Sequence, residues 1–172
     1  ATLALAAVPA GGPDELQALR RLVVIKLATG GDLREVLFRA TELEQRAPQF
    51  PEGPFHAAIA HEQLGNPLEA VAAWQRYLNF GEQLEPMSRA AGWQNLLRLQ
   101  LQLGEYTEAE ISLKQLAAVR PLTPDDLLNR VRILRGTGES DAAWEQLNKL
   151  RDSVEDRSAW LELSGVLALD RR

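Results

Sequence analysis

The sequence predicts an all-α solenoid, a stack of helical hairpins, on three observations. Helix-stopping glycines recur at a near-constant interval. Apolar residues return at fixed offsets after each of them. No stretch alternates polar and apolar residues with period two between turn signals. The glycines lie in "ATGGDL", "QLGNPL", "QLGEYT" and "GTGESD", with Gly31, Gly65, Gly104 and Gly138 spaced 34, 39 and 34 residues apart. A single glycine stops a helix because it enters the left-handed region without a Cβ clash. Five residues on stand Val36, Ala70, Ala109 and Ala143; nine on, Ala40, Trp74, Leu113 and Leu147; twelve on, Leu43, Tyr77, Leu116 and Leu150. Those offsets share one helical face. One hairpin cannot bury its apolar face alone, but stacked hairpins can.

Taken in order, residues 1–12 form an apolar leader that is flexible or the remnant of a signal or anchor segment, with Ala4-Leu5-Ala6 in a small-x-small pattern. Such a leader also invites the idea that it lies in the groove of a neighbouring molecule. Residues 13–172 read as a single domain. It holds repeats at about 16–50, 51–86, 87–123 and 124–154, and a final helix over 155–170 with an apolar face toward the last repeat. In "HEQLGNPLEAVAAWQRYL", one helix ends at Gly65 and the next opens at Pro67, a residue suited to a first helical turn. Ala58 and Ala70 let the two helices approach, and Trp74 and Tyr77 are expected to fill the gap to the next hairpin. "NFGEQLEPMSR" carries a five-residue excess between the second and third repeats. Thr123 caps the helix that follows it, with Asp125 and Asp126 complementing its N-terminal dipole.

These residues resemble the tetratricopeptide repeat (TPR) family. "LQLGEYTEAEISLKQLAAVRP" fits best, through Leu103, Gly104, Tyr106, Ala109, Leu113, Leu116 and Pro121. The resemblance implies a right-handed α-solenoid of four such repeats plus a C-terminal capping helix. It also implies a concave groove lined by the first helix of each repeat, and a role in binding other proteins. Arg20, Pro54 and Arg130 stand where the family prefers bulky apolar groups, so the first and fourth repeats are the more divergent.

The family register projects His56, Ile59, Glu62 and Gln63 inward from the second repeat. From the third it projects Gln94, Asn95, Arg98, Leu101 and Gln102, and from the fourth Leu128, Asn129, Arg132 and Arg135. Asn95 and Asn129 suit a peptide backbone, since an amide both donates and accepts. Arg98, Arg132 and Arg135 suit acidic side chains, and Ile59, Leu101 and Leu128 supply apolar contact. Some family members clamp a peptide's C-terminal carboxylate. Only Asn95 matches that set, whereas Phe55, Ile59 and Asp125 stand where it needs polar or basic groups.

The chain of 172 residues carries a net charge of −5 and no cysteine, so thiolate chemistry is excluded and general nucleic-acid binding is disfavoured. All but three of its 19 basic residues are arginine. They offer a local strip to an acidic partner segment, but no aromatic residues interleave with them as base-stacking requires. His56 and His61 point about 140° apart on a helix and do not share a metal. His61 is expected at the helix interface and His56 toward solvent or the groove. No apolar run reaches the roughly 18 residues that span a bilayer. The expectation is therefore a non-enzymatic adaptor holding a peptide or helix of a partner protein, without cofactor, metal or catalytic residues. The alternative is a self-assembling scaffold that stacks through its repeats or its leader. The cytoplasm is slightly favoured over an exported location.

Overall fold

A computed structural model describes residues 13–153 and 157–170, so the leader at 1–12 lies outside the described residues. Among those described, the chain forms nine α-helices and no strand. It divides into two compact units, Ala1–Leu84 and Glu85–Arg172. The division falls inside the 79–89 excess, where the sequence suggests one continuous domain.

The first unit holds α1 (Pro13–Ala28), α2 (Leu33–Arg46), α3 (Glu52–Gln63) and α4 (Pro67–Leu78), then a 3-10 turn at Gly81–Gln83. The second holds α5 (Pro86–Leu103), α6 (Tyr106–Val119), α7 (Pro124–Gly136), α8 (Ser140–Lys149) and α9 (Arg157–Asp170). Consecutive helices pair within each repeat. Every residue at the five-, nine- and twelve-residue offsets is buried, from Val36 through Trp74 and Leu116 to Leu150. Leu163 and Leu167 of α9 pack on Leu128, Val131, Ala143, Leu147 and Leu150, and the Trp160 Nε1–H donates to the Leu147 carbonyl at 2.9 Å. The closing helix thus covers the apolar face of α7 and α8.

The turns share one hydrogen-bond geometry. The residue after a left-handed glycine donates its N–H to the carbonyl five residues back: Asn66 to His61, Glu105 to Gln100 and Glu139 to Leu134, at 2.8–2.9 Å. In the first turn Gly31 itself is that donor, to Lys26 at 2.8 Å. The left-handed residue there is therefore Gly30 (φ 67), not Gly31. The extra residue leaves room for Asp32 as a cap, its carboxylate accepting from the Arg34 N–H at 2.9 Å.

Several expected contacts differ in kind. Trp74 and Tyr77 pack inside their own hairpin, their ring centroids 5.7 and 5.3 Å from that of Phe55 in α3. The Trp74 indole N–H donates to Glu62 at 2.6 Å. α2 and α3 approach closely at Gly53, where a Cβ would stand 2.8 Å from the Glu44 backbone nitrogen. Arg20, at a position the family fills with apolar groups, lies over the Phe50 ring at 4.1 Å and meets Glu52 at 3.3 Å. Its planar cation substitutes for a hydrophobic plug. Pro54 is fully buried in the first turn of α3, where its missing N–H has no helical partner to lose.

Candidate functional site

In α5, Leu96, Leu97, Leu99 and Gln100 turn inward, while Gln94, Arg98 and Gln102, spaced by four, remain exposed. In α7 a capping box fixes the first turn. The Asp126 N–H donates to the Thr123 hydroxyl at 3.3 Å, and the Asp126 carboxylate accepts from the Thr123 backbone N–H at 2.8 Å. Between these two helices lies a cavity of about 550 Å³. Its lining includes Gln94, Asn95, Arg98, Leu101 and Gln102 from α5, and Asp125, Asp126, Asn129 and Arg132 from α7.

Seven of the residues expected in the groove therefore meet in one cavity: Gln94, Asn95, Arg98, Leu101, Gln102, Asn129 and Arg132. Six do not line it. Leu128 is only 2 % exposed and belongs to the core under α9. Arg135 is paired with Asp170 at 2.6 Å. His56, Ile59, Glu62 and Gln63 stand on α3 of the first unit. Of these, His56 is buried at 7 % exposure rather than turned to solvent as expected, and His61 of the same helix is half-buried. His56 lies edge-on to Phe55 with centroids 5.3 Å apart, so the aromatic cluster draws it inward.

The cavity's charges are unequal in reach. Burial by itself would raise the Asp126 carboxyl, but hydrogen bonds from Arg120 and Thr123 outweigh it and hold the group below its ordinary value. The Arg120 guanidinium donates to it at 2.8 Å, which leaves Asp126 a neutralised wall. Arg98, Arg132 and the exposed Asp125 remain as the charged groups of the lining. The Arg132 Nη1 donates to the Asn129 Oδ1 at 2.7 Å. That bond orients the Asn129 amide so that its N–H₂ is turned to donating. Arg98 makes a longer bond of 3.4 Å to Gln102.

Sequence reasoning missed Asp126 as a lining residue, although Thr123-x-x-Asp126 is legible as a capping box. It also missed the buried bond from the Ser112 hydroxyl to the Gln100 Oε1 at 2.7 Å, which pins α5 to α6 behind the cavity. Among the described residues no group of three or more His, Asp or Glu is placed to hold a metal ion. Nor is any helix among them long and apolar enough to cross a membrane.

The paired antiparallel helices, the left-handed glycine turns and the cavity between first helices of successive repeats define an α-helical repeat protein. No protein-family model matches the sequence, and no curated protein matches it. Sixty-two solved chains match in structure. A tetratricopeptide repeat protein from Parabacteroides merdae aligns over 99% of this chain with a TM-score of 0.75 at 18% identity, and this chain spans 64% of its length. MamA (41-end) from Desulfovibrio magneticus RS-1 aligns over 95% of this chain and 98% of its own, with a TM-score of 0.69 at 17% identity. A thermophilic TPR protein of Thermus thermophilus aligns over 91% of this chain and 84% of its own, with a TM-score of 0.54 at 21% identity. The chain carries the tetratricopeptide-repeat fold.

Proposed function

We propose that this chain is a non-enzymatic interaction module whose α5–α7 cavity holds an extended, acidic segment of a partner protein. The observation that carries the reading is the composition of the lining. Gln94, Asn95, Arg98, Gln102, Asn129 and Arg132 are polar, lie wholly or partly open to solvent, and come from two successive first helices. An extended peptide presents alternating N–H and C=O groups that side-chain amides match. Arg98 and Arg132 match its carboxylates, with Asp126 already neutralised by Arg120. Leu101 supplies an apolar contact beside them. Electrostatic steering would then draw an acidic segment to this strip of a chain that is otherwise net negative.

The test compares capture from source-cell lysate by the wild type and by Arg98→Glu/Arg132→Glu, both checked for folding by circular dichroism. Arg135 is left intact because it is tied to Asp170. A protein retained by the wild type alone, through a segment whose binding weakens with salt, supports the reading. Equal capture by both forms removes the cavity as the binding site.

A further inference from the structure

We infer that Asn129 and Arg132 act together as one oxyanion-recognition unit in the α5–α7 cavity, with Asn129 setting specificity and Arg132 as its positioning residue. This rests on the reading of that cavity as the binding site. It directs Asn129 to an acidic group of the partner rather than to the partner's backbone.

A guanidinium carries N–H donors and no acceptor, whereas a carboxamide has one accepting and one donating end. The atom of Asn129 that receives the Arg132 Nη1–H at 2.7 Å is therefore the oxygen. The accepting end of the amide is engaged, and its N–H₂ is left to donate. The two residues stand three apart on α7, neighbours on one face, and both line the cavity. What the pair offers a ligand is donors from both side chains. A peptide backbone brings an N–H for every C=O, and an N–H placed here would meet another N–H. An oxyanion brings acceptors alone. Its bonds to a cationic donor are also roughly twice as strong as neutral ones.

No carboxylate of the chain takes that place. Among the described residues Arg132 makes no ion pair, while Arg120 and Arg135 of the same unit meet Asp126 at 2.8 Å and Asp170 at 2.6 Å. Asp126 is spent on Arg120 and on the Thr123 backbone N–H. Asp125 stands seven residues before Arg132, about 10 Å along the helix axis, and is not paired with it. Asn129 and Arg132 are both half-buried, and Leu101 of α5 lines the same cavity. A partly desolvated guanidinium without a counter-ion is costly, and an oxyanion offsets that cost. The shared chemistry is a carboxylate or a phosphoryl group on the partner segment.

Nitrogen-15 NMR tests the unit at its own atoms, since the Asn129 side-chain N–H₂ is the reporter. The probes are sodium acetate and inorganic phosphate, each raised to about 100 mM with sodium chloride holding ionic strength constant. The Asn129 N–H₂ signals of the wild type are expected to shift saturably, and those of the exposed Gln115 on α6 to stay in place. Arg132→Met, folded by circular dichroism, is expected to lose the shift. Arg132→Lys keeps a charge and a donor, and is expected to retain it with several-fold weaker affinity. Arg130→Met removes an exposed arginine of the same helix that lies outside this cavity, and is expected to change nothing. Asn129→Asp still accepts from Arg132 but trades the N–H₂ for an oxygen, so the anion response read at the Arg132 Nε–H should vanish.

A response to both probes supports a carboxylate side chain as sufficient ligand, and a response to phosphate alone supports a phosphoryl group. No saturable shift at Asn129, or an equal shift in Arg132→Met, overturns the inference. Anion binding at Asn129 with no protein captured from lysate would remove the peptide reading and leave the oxyanion unit standing. A captured protein lost in Arg98→Glu/Arg132→Glu, with no anion response at Asn129, would do the reverse.

Discussion

Replacing Gly53 by alanine sets two effects against each other. The helix gains from losing a glycine, by up to ~1 kcal/mol in a helix interior and less in a first turn, where Gly53 stands. Against that, the new Cβ would lie 2.8 Å from the Glu44 nitrogen and 2.9 Å from its Cα and Cβ. Two of those three atoms are backbone, so relief requires α2 and α3 to part rather than a side chain to turn. Overpacking of this kind costs ~1–3 kcal/mol, and the net expectation is a loss of about 1–2 kcal/mol. With a urea dependence of about 2 kcal/mol per molar, the unfolding midpoint falls by roughly 0.5–1 M. Gly165→Ala is the internal control. It meets no neighbour within 4 Å and should raise stability by about 0.5–1 kcal/mol. Urea titrations of the three proteins followed by far-ultraviolet circular dichroism measure both signs. A Gly53→Ala protein as stable as the wild type would refute the claim that glycine sets the α2–α3 approach.

Three other expectations follow from the same geometry. Burial lowers the pKa of His56 against a smaller opposing effect of Glu52, and burial also lowers that of His61. The unfolded chain then takes up protons near pH 6.5 that the native state refuses, so stability should decline as pH falls below about 6.5. Replacing both histidines by glutamine should flatten that slope in urea midpoints measured between pH 5 and 7, and an unchanged slope contradicts the assignment. Asp126, held below its ordinary value despite burial, contributes stability that is present above about pH 4 and lost on further acidification. Thr123→Ala removes its hydroxyl partner and the cap, and should cost about 1 kcal/mol in denaturant titration. Arg135→Ala breaks a partly exposed pair with Asp170 and should change stability by less than ~1 kcal/mol. It should also leave partner capture unaltered, because Arg135 does not line the cavity.

Much of the repeat was legible because helical periodicity is local. The offsets of five, nine and twelve residues after each glycine lie on one face of the second helix, and any antiparallel partner must cover that face. The α5 side of the cavity was legible for the same reason, since Gln94, Arg98 and Gln102 share a face that the core does not use. The limits appear where a neighbour distant in sequence decides. Leu128 and Arg135 lie on the same helix as Asn129 and Arg132, but α9 claims them, the one for the core and the other through Asp170, 35 residues away. His56 and His61 lie on the same helix, yet His56 is buried beside Phe55 and its aromatic neighbours while His61 is left half-buried.

The amino-acid sequence by itself determined the helices, their turns and the residues that face inward, because capping, glycine conformation and amphipathic period act within a few residues. It did not determine which of Gly30 and Gly31 turns left-handed, because the carbonyl of Lys26 selects the N–H one position later. Nor did it determine that Asp126 is neutralised by Arg120, or that Asn129 is oriented by Arg132. Only the tertiary structure decided those, since a side chain's charge and hydrogen-bonding capacity depend on what packing brings within about 3 Å of it.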